Sequence, residues 1–269
     1  MVDDEPIKCF VISLASAGER RAYIEQHLTQ LQHPFEFIDA VDGQRLSEKQ
    51  LVNVYDRSKS LRNGRGLSVS EIGCALSHLK AYRKMADEGI GHALILEDDV
   101  SLESVVFILV KKLSKLYEAD DPVLISLGHV FKYLEKGMKN IYDTYSTADI
   151  FGSCAGAYGY FLNLAAAKRM LIFLFPVWTV ADNWPRIKID GIVPIKAIIP
   201  YVIKLHDLSE QSLILQRGED PSYDAKGVTR FFRRYVNLGL TAYLYRRFKE
   251  LFFKTKVKLF DKVLKQSFK

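Results

Sequence analysis

Short apolar runs alternate with stretches of helical periodicity along most of the chain. Lys8-Cys9-Phe10-Val11-Ile12-Ser13-Leu14 is apolar on both faces and β-branched, the pattern of a buried parallel strand. Ser16-Ala17-Gly18 interrupts it, and Tyr23, Ile24, His27, Leu28 and Leu31 then recur at helical spacing between Glu19 and Leu31. Phe35-Glu36-Phe37-Ile38 reads as a second strand, stopped by Asp42-Gly43. Together these predict a βαβ unit opening an α/β domain. Ser68-Val69-Ser70-Glu71 has the form of a capping box, with Gly89 placed to end the helix it starts. His92 to Leu96 predicts another buried strand, closed abruptly by Glu97-Asp98-Asp99. A helix from about Ser101 to Tyr117 and a strand at Val123–Leu127 follow. Residues 128–150 read as loop with room for short strands. Gly152 to Asn163 reads as a strand leading into a helix at Leu164–Leu174, and Ile195 to Ile203 as the last strand.

Composition adds little until the charge is divided. The 269 residues are 48% hydrophobic and 26% charged, a globular profile that excludes disordered, collagen-like and coiled-coil chains. The stretch Met170 to Ala181 contains Pro176 and is too short to span a bilayer. The acidic start, Met1-Val2-Asp3-Asp4-Glu5, does not have the form of a signal peptide. Cys9, Cys74 and Cys154 are far apart with no CxxC spacing. They read as reduced core thiols of a reducing compartment, not as a disulfide frame or a zinc site. The formal net charge is +6, but Thr229–Lys269 alone carries +10, so residues 1–228 carry −4. A mildly acidic body at 1–228 and a basic, aromatic-rich tail at 229–269 are therefore expected as separate units.

Three consecutive carboxylates at the end of an apolar strand repel one another unless they are solvated, bound to donors or neutralised by a cation. They fit either a solvated strand end that caps the next element or a site for Mn²⁺ or Mg²⁺, which prefer oxygen donors and share their shells with phosphates. On an extended backbone Glu97 and Asp99 point to one side and Asp98 to the other. Ser13 and Leu14 open a turn of small residues after the first strand, where amides can meet an anion. Arg20 and Arg21 follow as candidates to pair with a diphosphate or as a solvated first helical turn. There is no GxGxxG and no GxxxxGK[ST]. His78, alone on its helix, reads from the residues as a packed core histidine.

Several segments, in order, resemble glycosyltransferase family 25, the bacterial lipooligosaccharide galactosyltransferases. They are Val11–Arg21, Phe37–Gly43, Leu67–Leu79, Leu96–Val100 and Gly156–Tyr160 followed by Ala167-Lys168. The resemblance implies a GT-A-like α/β nucleotide-sugar-binding sandwich with a mixed, mostly parallel sheet. It implies an inverting hexosyltransferase that moves galactose from UDP-galactose to a lipooligosaccharide or lipopolysaccharide acceptor, with Mn²⁺ (or Mg²⁺) at a DxD-type site. On that footing Asp99, with Glu97 and a late His206, would hold the metal. Asp98, Ser13, Leu14, Arg20, Arg21 and His78 would surround the UDP-sugar. Glu97 stands where the family pattern has Asp. Asp182 is the expected general base, Asp190 its rival, and Trp184 a face for a sugar ring; from the residues alone, Asp182 equally fits a helix cap or Asx-turn.

In the tail, Lys254, Lys258, Lys262, Lys265 and Lys269 recur at helical steps, with Phe and Leu mostly on other sides. This predicts a basic helix, either lying on an anionic membrane surface or packing its aromatics on the body. The expected location is the cytoplasmic side of the inner membrane, as a peripheral protein with no nucleic-acid partner. The competing class is a non-catalytic α/β module that binds membrane or nucleic acid.

Overall fold

The computed structural model describes residues 6–152 and 156–207, and in the tail 244–245, 247–252, 254–255 and 262–266. Its centre is an eight-stranded sheet built by period-two burial. In strand β1 (Lys8–Ser13), Phe10 and Ile12 face one core while Cys9 and Val11 face the other. Strand β3 (His92–Glu97) divides likewise, Ala93 and Ile95 to the first core, Leu94 and Leu96 to the second. Both faces are thus covered, which is why these strands read as unbroken apolar runs.

Helices α4 (Val69–Asp87) and α6 (Leu164–Leu174) fill the first core with Ile72, Leu79, Tyr82, Met85 and Met170. Helices α1 (Gly18–Gln30) and α5 (Val105–Leu116) fill the second with Ile24, Leu28, Leu109 and Leu113. The result is a three-layer α/β/α sandwich. The strand order is β2-β1-β3-β9-β5-β10-β8-β7, where β2 is Glu36–Asp39, β5 Leu124–Ser126, β7 Lys139–Tyr142, β8 Tyr145–Asp149, β9 Gly159–Asn163 and β10 Ile195–Ile199. Six of the eight strands point the same way and β9 and β8 oppose them, as a mixed, mostly parallel sheet requires.

The capping box at Ser68 forms in both directions: Ser68 Oγ accepts from the Glu71 amide and the Glu71 carboxylate accepts from the Ser68 amide. The other end closes at Gly89, whose φ of +66° lets the Ile90 amide reach the Met85 carbonyl. Helix α4 also meets the β2 turn backbone to backbone. A Cβ on Gly43 would lie 1.8 Å from the Val69 carbonyl oxygen, and one on Gly73 would lie 2.5 Å from that of Val41. Ser77 Oγ locks the contact, donating to the Gly73 carbonyl and accepting from the Val41 amide. The helix is thereby held in one register against the sheet edge.

Several elements depart from the expected pattern. Helix α5 begins at Val105, because Val100–Leu102 forms a short strand, β4, antiparallel to β11 (Ile203–Leu205). The strand expected over 195–203 is accordingly split, with Pro200, which has no amide hydrogen to donate, at the break. Residues 128–150 contribute β6 (Lys132–Leu134) as well as β7 and β8. Short helices α2 (Glu48–Val54), α3 (Arg57–Arg62) and α7 (Trp184–Ile189) fill stretches with no clear periodicity. In the tail, 247–252 is helical, but Val263–Lys265, where the lysine spacing predicts helix, is a strand, β12, antiparallel to β6. One edge of β6 meets residues 150–151; pairing on its other edge and the Lys262–Glu135 ion pair (3.3 Å) favour the strand locally. The boundary expected at 228 lies outside the described residues.

Candidate active site

The carboxyl ends of β1 and β3, the start of α1 and the middle of α4 converge on one cleft. Ser13, Leu14, Arg20, His78, Glu97, Asp98 and Asp99 all line it. Clefts of open α/β sheets form outside the carboxyl ends of strands for this reason. The acidic turn is fixed from three directions. The Glu97 amide donates to the Tyr158 carbonyl (2.9 Å), β4 pairs with β11, and the His206 amide donates to the Asp99 carbonyl (2.7 Å).

The chain leaves the extended conformation at Asp98-Asp99, so the strict alternation expected of the three carboxylates fails. Glu97 turns toward α4, where His78 Nε2 stands 3.2 Å from its Oε1. Asp98 and Asp99 instead share Arg20, with Nε 3.3 Å from Asp98 and Nη1 3.5 Å from Asp99. Asp98 also accepts a 2.5 Å hydrogen bond from Ser13 Oγ. Asp99 is 5% exposed, and its Oδ1 is buried with no hydrogen-bond partner. Among the described residues, Asp98 and Asp99 thus share a single guanidinium, with the Glu97 carboxylate beside them. Burial, then the charges of Glu97 and Asp98, push Asp99 up to about 7. Burial likewise raises Asp98, against the pull of Ser13 and Arg20.

A buried relay stands behind Glu97. His78 Nδ1 lies 2.7 Å from the Tyr160 hydroxyl, itself 2.7 Å from the Tyr82 hydroxyl. Read as donors, Tyr82 gives to Tyr160, Tyr160 to Nδ1, and Nε2–H to Glu97, which satisfies every group. His78 is therefore buried, yet it is a cleft residue through its far nitrogen. Tyr160, easily taken for plain core, is its partner. Cys74 is not a core thiol either: it lines the cleft one turn before His78, while Cys9 is in the core and Cys154 lies outside the described residues. The spacing Cys74, His78, Tyr82, one residue per turn of one helix, was the available signal for this face.

Asp182 sits in the loop before α7. Burial first, then the negative charge of Glu97, raises its carboxyl, and its charge also reaches Cys74, so it stands near the cleft although it is not among the residues that line it. Other candidates are placed elsewhere. Arg21 pairs with Asp39 (2.9 Å) and lies over the Phe37 ring (4.2 Å), because consecutive helical residues diverge by about 100°. The His206 ring packs 4.0 Å from that of Tyr23, and its amide meets the acidic turn. Asp190 ends α7 and is ion-paired with Arg186. Trp184 is 2% exposed, donates to the Gly156 carbonyl (2.9 Å) and packs edge-on against Tyr160, so it offers no open face to a sugar.

Comparison with known proteins adds the family. The sequence profile of glycosyltransferase family 25 (LPS biosynthesis protein) matches residues 6–184. A Haemophilus influenzae protein that carries a provisional glycosyltransferase name is 30% identical over 168 residues, covering 60% of this chain and 56% of that protein. The human protein named inactive glycosyltransferase 25 family member 3 is 28% identical over 60% of this chain and 28% of its own length. Procollagen galactosyltransferase 1-A of Xenopus laevis is 23% identical over 76% of this chain and 32% of its own. The chain thus spans about half of the bacterial relative and a third or less of these animal ones. Among solved structures, a glycosyltransferase involved in the glycosylation of the major capsid of PBCV-1 aligns with 62% of this chain and 65% of its own, at 10% identity and a TM-score of 0.30.

Proposed function

The chain belongs to glycosyltransferase family 25, and from that premise we propose that it is a catalytically competent, inverting hexosyltransferase. The donor is a UDP-sugar, UDP-galactose first, and the acceptor a lipooligosaccharide or lipopolysaccharide. One observation carries the proposal: the unpartnered, buried Oδ1 of Asp99 in a cleft where Asp99 and Asp98 share one arginine beside Glu97. A buried acceptor left without a donor is costly, and here the missing donor fits a hard divalent cation. The donor set of carboxylate oxygens suits Mn²⁺ or Mg²⁺. Asp99 would hold the ion with Glu97. When bound, the ion neutralises the charge that develops on the departing diphosphate.

The chain's own groups do the rest. Ser13 and Arg20 hold Asp98 in place and leave Asp99 as the carboxylate with a free oxygen. Helix α1 has Ala17 as its N-cap, with no side-chain cap, and a Cβ on Gly18 would meet nothing within 4 Å, so its first amides are open to phosphate oxygens. Asp182 takes the proton of the acceptor hydroxyl. Its raised affinity for a proton makes it a better base than an ordinary exposed carboxylate.

Release of UDP from a panel of UDP-sugars, with core oligosaccharide as acceptor and Mn²⁺, Mg²⁺ or EDTA, tests the proposal. Turnover of UDP-galactose in Mn²⁺ and its loss in EDTA are expected. No binding or turnover of any UDP-sugar with either ion would refute it. Salt-sensitive, EDTA-indifferent capture of anionic polymers would instead favour the non-catalytic module.

For the tail, we propose peripheral attachment to an anionic membrane surface at its cytoplasmic side. Its support is the exposure of Phe248, Leu251 and Phe252 beside Lys249 and Lys254. Among the described residues no helix is long and apolar enough to cross a membrane. Co-sedimentation with anionic but not neutral vesicles, reversed by salt, checks this reading.

A further inference from the structure

We propose that Cys74, His78 and Glu97 form a second cation site in the wall of the cleft, selective for a thiophilic divalent ion such as zinc. The Cys74 sulfur, a ring nitrogen of His78 and a Glu97 oxygen all lie within 4.8 Å of one another. Donors around one tetrahedral zinc stand roughly 3.3–3.8 Å apart, given bond lengths of about 2.0–2.3 Å. Small side-chain rotations close the difference. The backbone need not move, because Gly73 and Ser77 lock α4 against the β2 turn on either side of Cys74.

The donor chemistry separates this site from its neighbour. Sulfur, imidazole and one carboxylate form a zinc set, whereas Mn²⁺ and Mg²⁺ prefer oxygen alone. Three protein ligands leave a fourth position, which opens to the cleft. A ligating histidine needs a partner for its other nitrogen, and the Tyr160 hydroxyl, backed by Tyr82, stands 2.7 Å from Nδ1 to receive that hydrogen.

The charges and protons balance. The S–H bond breaks, its proton goes to solvent, and a zinc–sulfur bond forms. His78 stays neutral, its proton passing from Nε2 to Nδ1 by exchange with solvent. One thiolate and one carboxylate then cancel the charge of the ion, so a neutral assembly occupies a half-buried place. Binding releases one proton and tightens as pH rises. The site shares Glu97 with the proposed Mn²⁺ site, so zinc held here would compete for that carboxylate; failure of the zinc site leaves Glu97 to that ion and the glycosyltransferase reading untouched.

The test uses the full, metal-stripped chain. Cobalt titration should give tetrahedral visible bands with near-ultraviolet thiolate-to-cobalt charge transfer. Zinc, titrated against a chromophoric chelator, should bind at one equivalent per chain. Cys74→Ser should abolish the charge-transfer band and weaken zinc by at least about tenfold, the smaller of the losses seen when merely an outer-shell partner is removed. Absence of the band in the unmodified chain, or equal zinc affinity in Cys74→Ser, overturns the proposal. If Cys74→Ser does not fold by circular dichroism, Glu97→Gln decides: cobalt binding must weaken while the sulfur band persists, and unchanged affinity overturns the site.

Discussion

The carboxylates of the cleft and those around α7 have opposite electrostatics. Around α7, Asp190 is paired with Arg186, and Asp149, next to the Ile150 carbonyl that α7 meets through Lys188, is paired with Lys196 at 3.0 Å. In the cleft, among the described residues, Asp98 and Asp99 share Arg20, Glu97 faces the His78 ring, and Asp182 adds a further negative charge nearby. One-to-one pairing at a half-exposed surface is a structural arrangement of small net worth. A deficit of positive charge inside a buried cleft costs stability unless a cation arrives, and such deficits cluster at functional sites.

Replacing Asp99 should produce the largest effect. Asp99→Asn should lower transfer at least about a thousandfold, since several kcal/mol of charge stabilisation depend on the cation it holds. Excess Mn²⁺ should not restore it. Without metal the same change should stabilise the fold, because it removes the least compensated buried charge. The sign follows from the raised carboxyl: from about pH 4, the ordinary range, to about 7, the folded chain keeps a proton that the unfolded chain has lost. Metal-free stability therefore falls across that window as pH rises, and Asp99→Asn flattens the fall. A gain of about 1 kcal/mol at neutral pH corresponds to roughly 3 °C in thermal midpoint. Midpoints in EDTA across pH check this, and a destabilised Asn variant would break the contrast between the two regions.

Asp182→Asn should come next, lowering kcat by about 10²–10⁴-fold while the donor KM changes little, because an amide keeps the shape but cannot take the hydroxyl proton. In the unmodified chain kcat should fall as pH drops through the raised Asp182 value, a limb absent from the Asn variant's residual rate. A collapse of donor affinity would make Asp182 a binding residue instead.

The parallel half of the sheet was legible from sequence because β1 and β3 are buried on both faces and carry uninterrupted apolar runs. So was α4, whose capping box and terminal glycine are local chemistry. The mixed half was harder: β4, β6 and β11 have three residues each, too few for a period to show, and their pairing depends on distant partners. The acidic turn was visible as composition, but its internal division was not. Which carboxylate Ser13 would hold, and which oxygen would lack a donor, depends on contacts spanning dozens of residues. Arg20 and Arg21 look equivalent in sequence, and only the helix phase sends one into the cleft and the other to Asp39. Cys74 reads as core in the sequence because its apolar neighbours there conceal a polar neighbour in space.

Arg20 sharpens the contrast from the cation's side. Arg20→Met should cost about 3 kcal/mol without metal at neutral pH, since it leaves Asp98 and Asp99 without the cation they share. Mn²⁺ should return part of that loss by supplying charge to the same cluster. Urea unfolding with EDTA and with Mn²⁺ measures both, and an equal cost in the two conditions would mean that the ion and Arg20 do not share the carboxylates.

Asp190→Asn should have the smallest effect of the four. Its partner Arg186 also donates to Asn63 Oδ1 at 2.8 Å, so the guanidinium keeps a hydrogen bond when the carboxylate is neutralised. The Asp190 side chain is 27% exposed, where water screens the pair. A loss of at most about 1 kcal/mol follows from the ordinary worth of such pairs. Because Asp190 is already occupied by a cation, kcat should stay within about twofold, against the 10²–10⁴-fold range of a true general base. Unfolding and steady-state turnover on the same preparation decide between the two acids. If Asp190→Asn abolished turnover while Asp182→Asn did not, the base would sit beyond α7, and one-to-one pairing would no longer separate structural carboxylates from working ones in this chain.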